Sequence, residues 1–296
     1  MSLSHTPLAH TPYDGSATPF TIGLKPLDLT EWLEIDALHM PYLAEKRRLF
    51  AERPADVFAE EADTREAQRE VLDLIRGWLE EHAPALPRPD GAADAPPLKT
   101  ASLMVQEDLV LMRRGEDGWR LAAASLCFPS SWSLAEKFGR PLRDIHIPVP
   151  GFGPGTRNDT VIGRIFDNLA VDRPVERANW SLQNNPALYH PLSDLERDTR
   201  AAARPSRFRS DDPVAAAFIR VERQTLRRLP RSGDILFTIR IHLDPMAKLA
   251  AHPDRARLAA AFAGQLAALD VAQIDYKGLA ADRDRLVAAL QALAGR

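Results

Sequence analysis

The stretch from Arg220 to Leu243 constrains the fold more than any other part of this chain. Its second half alternates without a break, with Ile235, Phe237, Ile239, Ile241 and Leu243 on one side and Leu236, Thr238, Arg240 and His242 on the other. A period of two is that of a strand, and the run Arg220 to Leu229 before it is joined through the loop PRSG at 230–233, a hairpin connection. With the turn centred between Arg231 and Ser232, Glu222 faces Ile241 and Gln224 faces Ile239, so both polar groups share the apolar face, the one expected to be buried. An anionic carboxylate there is costly unless it is paired, hydrogen-bonded or protonated, which makes Glu222 either half of a structural ion pair or a working group. Arg223 falls opposite Arg240 on the other face, and two like charges so placed require an anion, a carboxylate partner or open water. A slip of one residue would exchange the two faces.

A second hairpin is expected between 101 and 128, where SLMVQEDLVLM and WRLAAASLCF flank RRGEDG, with glycines at 115 and 118 suited to the turn. Between the hairpins lie a short helix from Ser133 to Phe138, ended by Gly139 and Pro141, a helix from Asn158 to Leu169 with Val161, Ile162, Ile165, Phe166 and Leu169 as one stripe, and a short strand near Asn179 to Gln183. Upstream, Asp28 to Phe50 reads as a helical entry. Pro54 to His82 carries Val71, Leu72, Leu74, Ile75, Trp78 and Leu79 at amphipathic spacing. Prolines at 84, 87, 89, 96 and 97 make 83–97 a linker. Beyond Pro245, leucines at helical spacing predict packing helices without chemistry of their own. GFGPG at 151–155 lacks the Lys-Ser/Thr of a phosphate loop and the spacing of a dinucleotide fingerprint.

His146, in IHIPVP, is the histidine in the most apolar local sequence, between Ile145 and Ile147. An imidazole facing an apolar wall stays neutral and suits iron or zinc, although the same pattern also describes a packed core histidine. His190 in ALYHP competes with it, with His39 and His242 behind; His5, His10, His82 and His252 lie in polar surroundings and read as solvated. The single cysteine, Cys127, excludes an internal disulfide and a cluster held by four local thiolates, and reads as a small buried hydrophobe. A net charge of -3 on 296 residues provides no field for nucleic acid or an anionic membrane. With no long apolar run and no leader-like N-terminus, the cytoplasm is the expected compartment.

The ordered blocks EDLVLM, CFPSSW, IHIPVP, NWSLQ, RVERQTLRRLP and ILFTIRIHL, spread over roughly residues 28–250, resemble the haem-dependent oxidative N-demethylase alpha-subunit family. The resemblance implies an α+β, PAS-like antiparallel sheet with helices closing over a haem b pocket. With the boundary at the proline-rich linker, the expected division is an N-terminal helical extension and linker (1–97), a PAS-like haem-binding core (98–245) and C-terminal packing helices (246–296). The resemblance makes His146 the axial ligand of the haem iron. The implied activity is oxidation of a small secondary amine such as dimethylamine by O2 to a primary amine and formaldehyde. Glu222 and Gln224 would then seat the alkylammonium, Trp180 would wall the pocket, and Arg223 and Arg240 would meet the haem propionates if the sheet bends, against the register above. Electrons would come from partner subunits carrying FMN and a 2Fe-2S centre that draw on NADPH, with tetrahydrofolate accepting the formaldehyde elsewhere in the complex. Two other classes fit the same residues: a haem PAS gas sensor without an electron donor, and a haem-free small-molecule binding protein in which His146 is merely packed.

Overall fold

The computed structural model of the chain describes residues 8–88, 91–92 and 94–295; His5 and Pro89 lie outside them. Its centre is one antiparallel sheet of seven strands: β1 (Lys25–Pro26), β2 (Phe58–Glu60), β3 (Asp108–Gly115), β4 (Gly118–Ser125), β5 (Val175–Gln183), β6 (Phe218–Arg228) and β7 (Ile235–Pro245), ordered β1-β5-β6-β7-β3-β4-β2. The β6–β7 hairpin has the register read from the sequence, with Glu222 opposite Ile241, Arg223 opposite Arg240 and Gln224 opposite Ile239. Gly233, at φ +74°, supplies the left-handed backbone its turn requires. β3 pairs with β7, Asp108 opposite Ile239, and so joins the two hairpins into a single sheet. β5 is longer than the short strand expected, and pairs along its whole length with β6.

Both faces of the sheet are covered, which departs from the one buried face inferred for β7. Leu236, Thr238, Arg240 and His242 are all buried as well. The reason is the helix Arg65–His82, whose buried positions Ala67, Val71, Ile75 and Leu79 recur every four residues and pack with Leu109, Leu111, Ala123 and Leu236. Truncating Ile75 to alanine there removes a buried side chain worth about 2–5 kcal/mol. Pro54 does not begin that helix: a single turn, Pro54–Val57, leads directly into β2, and the long helix starts only at Arg65.

On the opposite face, the segment between β4 and β5 arches over the sheet. It carries the turn Leu142–Ile145, with His146 at its C-terminal end, and the helix Arg157–Asn168, capped by the Thr156 hydroxyl accepting from the Asp159 N–H. The C-terminal helices Arg255–Ala267, Val271–Lys277 and Arg283–Ala294 form a further core with Trp180, Ile219 and Val221, built on Phe262, Leu266, Leu286 and Leu290. β1 pairs with β5 only at Val175 and Glu176, so the outer edge of β5 beyond them is met by the C-terminal helices and the N-terminal segment instead. Among the described residues, no helix is long and apolar enough to cross a membrane.

Candidate functional site

A cavity of about 370 Å³ lies between the sheet and its arch, within the size range of small-molecule sites. Much of its wall is apolar: Val110 and Met112 from β3, Leu226 from β6, Phe237 and Ile239 from β7, and Phe166 from the arch. The alternation of β6 and β7 dictates this, since the residues that face the cavity are those sharing the side of Glu222 and Gln224. His146 and Ile145 also line it, whereas Ile147 points outward and is 59% exposed. The two isoleucines therefore do not flank the imidazole as a wall. The hydrophobic surroundings come instead from the sheet and from Phe152, whose ring centroid lies 6.0 Å from that of His146.

The His146 ring has no hydrogen-bond partner among the described residues. Burial, reinforced by the nearby Arg177 guanidinium, pushes its pKa down to about 4, so the imidazole is neutral with nitrogen lone-pair capacity free. His190 also lines the cavity, with its pKa lowered by burial and its Nδ1 buried without a partner. His39 and His242 do not line it. His10 is not freely solvated, as it contacts the Glu34 carboxylate. Cys127 is fully buried, and burial pushes its thiol up to about 12, the inert state expected.

Glu222 is the one carboxylate among the described residues lining the cavity. It is held from both sides along its own strand: Arg220 Nε donates to its Oε1 at 3.4 Å and Gln224 Nε2 to its Oε2 at 3.3 Å. Arg220 is itself fully buried and fixed by donating to the carbonyls of Leu188 and Phe128. Arg177, on β5 opposite Gln224, faces the same space. Its Nε is buried without a partner, its pKa is lowered by burial, and the field of Glu222 is the favourable charge it feels.

From the C-terminal side come Tyr276 and Lys277, in a region whose spacing signalled only packing. Lys277 Nζ donates to the Trp180 carbonyl at 2.6 Å and lies 4.2 Å from the centre of the Trp180 ring. Burial lowers its pKa to about 7, against the opposing pull of Glu222. Burial, with Glu222 adding to it, raises the Tyr276 phenol to about 12. Trp180 both lines the cavity and belongs to the core, its indole N–H donating to Gln265 Oε1 at 2.7 Å. The N-terminal segment contributes Pro12 and all of 17–24, another part of the wall that no local pattern announced.

Arg223 and Arg240 are not brought to this cavity. Arg223 Nε donates to Glu176 Oε2 at 2.7 Å, and its other nitrogens donate to the carbonyls of Trp32 and Glu31. Arg240 pairs with Asp36 at 2.7 Å and stacks over Tyr42. Of the three ways to accommodate facing arginines, carboxylate partners are the one realised. The register that put Glu222 toward the cavity necessarily turned these two away.

The family described as haem-dependent oxidative N-demethylase, alpha subunit-like, matches residues 23–91 and 78–287. The chain belongs to this family. Its description indicates haem dependence and an oxidative demethylase-type function, and the designation alpha subunit implies partner subunits. The matched span takes in the sheet, His146, Glu222 and the helix that ends at Lys277, so the family relationship covers every wall of the cavity except its N-terminal part.

Proposed function

We propose that this chain is a haem-dependent oxidative N-demethylase subunit in which His146 is the axial ligand of a haem b and Glu222 seats a small secondary ammonium ion such as dimethylammonium. The observation that carries the reading is an unpartnered, neutral imidazole directed into a largely apolar cavity that contains one carboxylate. The donor set fits the cofactor: one free imidazole nitrogen, apolar walls, and buried cations able to meet carboxylate side chains. Arg177, with its unsatisfied Nε, takes the propionate role expected of Arg223 and Arg240. The sheet order β4-β3-β7-β6-β5, with the arch between β4 and β5, is consistent with the PAS-like reading.

When bound and reduced, haem supplies O2 binding and activation. The chain's own residues do the rest. Glu222, oriented by Arg220 and Gln224, holds the ammonium group by charge and hydrogen bonding and can take its proton at Oε1 or Oε2. Lys277 Nζ, poised near neutrality, can release or hold a proton beside that carboxylate. The apolar walls exclude water from the reacting carbon. The balance is one secondary amine, O2, two electrons and two protons giving a primary amine, formaldehyde and water. The electrons come from partner subunits bearing FMN and a 2Fe-2S centre and fed by NADPH, in keeping with the alpha-subunit designation. The setting is the cytoplasm.

The test is the visible spectrum of the protein expressed with a haem precursor, as isolated and after dithionite, with and without dimethylamine. A Soret band that the amine perturbs and that His146→Ala abolishes is expected. A band that survives the substitution moves the ligand to His190, and a band indifferent to amines removes the substrate assignment.

A further inference from the structure

On the other face of the sheet, His10, Glu34 and His242 meet from three distant parts of the chain. His10 Nε2 lies 2.5 Å from Glu34 Oε1, His242 Nε2 lies 2.7 Å from Glu34 Oε2, and one ligand atom of each residue lies within 4.8 Å of the others. The two imidazole rings are 4.9 Å apart and inclined at 60°, and each presents its Nε2 to a different oxygen of the same carboxylate. Two histidines and one carboxylate constitute the donor set that, with a water, completes four-coordinate zinc. His242 is buried while His10 and Glu34 are partly exposed, so an ion can reach the group from solvent.

A buried carboxyl group supports the chain at Glu34. Behind Glu34 stands Glu107, fully enclosed; its Oε1 accepts the Glu34 backbone N–H at 2.9 Å and its Oε2 is buried with no partner. Glu107 thus fixes the backbone that carries Glu34, and with it the position of that side chain. Arg223, 3.9 Å from Glu34 Oε1, opposes a cation here, but it is already paired with Glu176, and Arg240 with Asp36.

We infer that His10, Glu34 and His242 form a zinc site that fastens the N-terminal segment to β7. The same segment walls the cavity through Pro12 and residues 17–24, so zinc there secures one side of the cavity without touching its chemistry. This inference does not depend on the haem assignment.

The full-length protein, stripped with a chelator and dialysed, is titrated with Zn2+ against a chromophoric competitor. One equivalent per chain is expected. His10→Ala should weaken binding by more than the roughly 10–100-fold that loss of an outer partner costs. His10→Cys, which keeps a zinc-binding donor, should retain binding. Glu34→Gln and His242→Ala should lose it, while His82→Ala, at an exposed histidine outside the group, should bind zinc as the parent does. Because His10 lies on a partly exposed segment, unchanged circular dichroism of His10→Ala separates ligand loss from unfolding. No zinc binding by the parent, or binding equal in the parent and His10→Ala, overturns the site and leaves a hydrogen-bonded triad.

Discussion

The two faces of the β6–β7 hairpin use the same alternation to opposite ends. On the reverse face each arginine has a carboxylate partner, Arg223 with Glu176 and Arg240 with Asp36, although the Arg240 Nε stays buried and unbonded, and the hydroxyls of Thr225 and Thr238 bond each other at 2.6 Å. On the cavity face, Glu222 has only long contacts along its own strand and Arg177 has an unsatisfied nitrogen. Charges one residue apart thus have different fates because of what packs over them. A loop that brings Asp36 and Glu34, with Glu176 from the neighbouring strand β5, serves one side, and an arch that leaves a cavity covers the other. A charge that is fully paired stabilises the fold, whereas one left facing a cavity is available to a ligand.

This contrast can be broken by substitution. The largest effect belongs to Glu222→Gln, expected to lower turnover of the amine about 10²–10⁴-fold, read by formaldehyde release with the reductase partners present, while circular dichroism stays that of the parent. Next is Arg223→Ala, which leaves buried Glu176 with only the exposed Lys25 as partner; chemical denaturation should show a loss of about 2–3 kcal/mol, below the roughly 3–5 of a wholly uncompensated charge, with an unchanged Soret band if the protein remains folded. Arg177→Gln should do the reverse, leaving stability the same or slightly higher and weakening haem retention about tenfold in transfer to apomyoglobin, since it removes a buried charge without a protein partner.

A smaller effect comes from pH. The native His146 pKa of about 4 lies below the ordinary 6.5, so between those values the unfolded chain takes up a proton that the native chain refuses. The stability is complete above about 6.5 and is lost as pH falls toward 4. His39, His190 and His242 are shifted down by burial too and act in the same sense. Haem-free His146→Leu should therefore have a visibly shallower fall of denaturation midpoint over that window, and an identical slope would refute the buried neutral imidazole. The smallest effect is Arg48→Ala, which breaks exposed pairings with Glu45 and Glu52 and should leave the denaturation midpoint indistinguishable from that of the parent.

The hairpin register, the antiparallel class and the side of the sheet reached by Glu222 were legible because a strand's side chains alternate regardless of what surrounds them. His146 was legible as a candidate, though for a reason the fold altered: Ile147 faces outward, and the apolar wall comes from strands more than twenty residues away in sequence. Lys277 and Tyr276 gave no signal, because a helical lysine in the C-terminal region looks like any solvated one until the helix is laid along the free edge of β5. The Arg223 and Arg240 pair was correctly placed on the reverse face, while its partners Glu176 and Asp36 could not be named from the hairpin alone.

By itself the sequence determined local geometry and chemical inventory: which residues alternate, which face the carboxylate takes, that one cysteine excludes a disulfide, and that the family blocks stand in order. Only the tertiary structure decided which charges are paired, which imidazole is free, and that the N- and C-terminal segments complete the cavity. The physical reason is range. Backbone periodicity is fixed within a few residues, whereas pairing and desolvation of a charge depend on groups that close packing brings together from any distance along the chain.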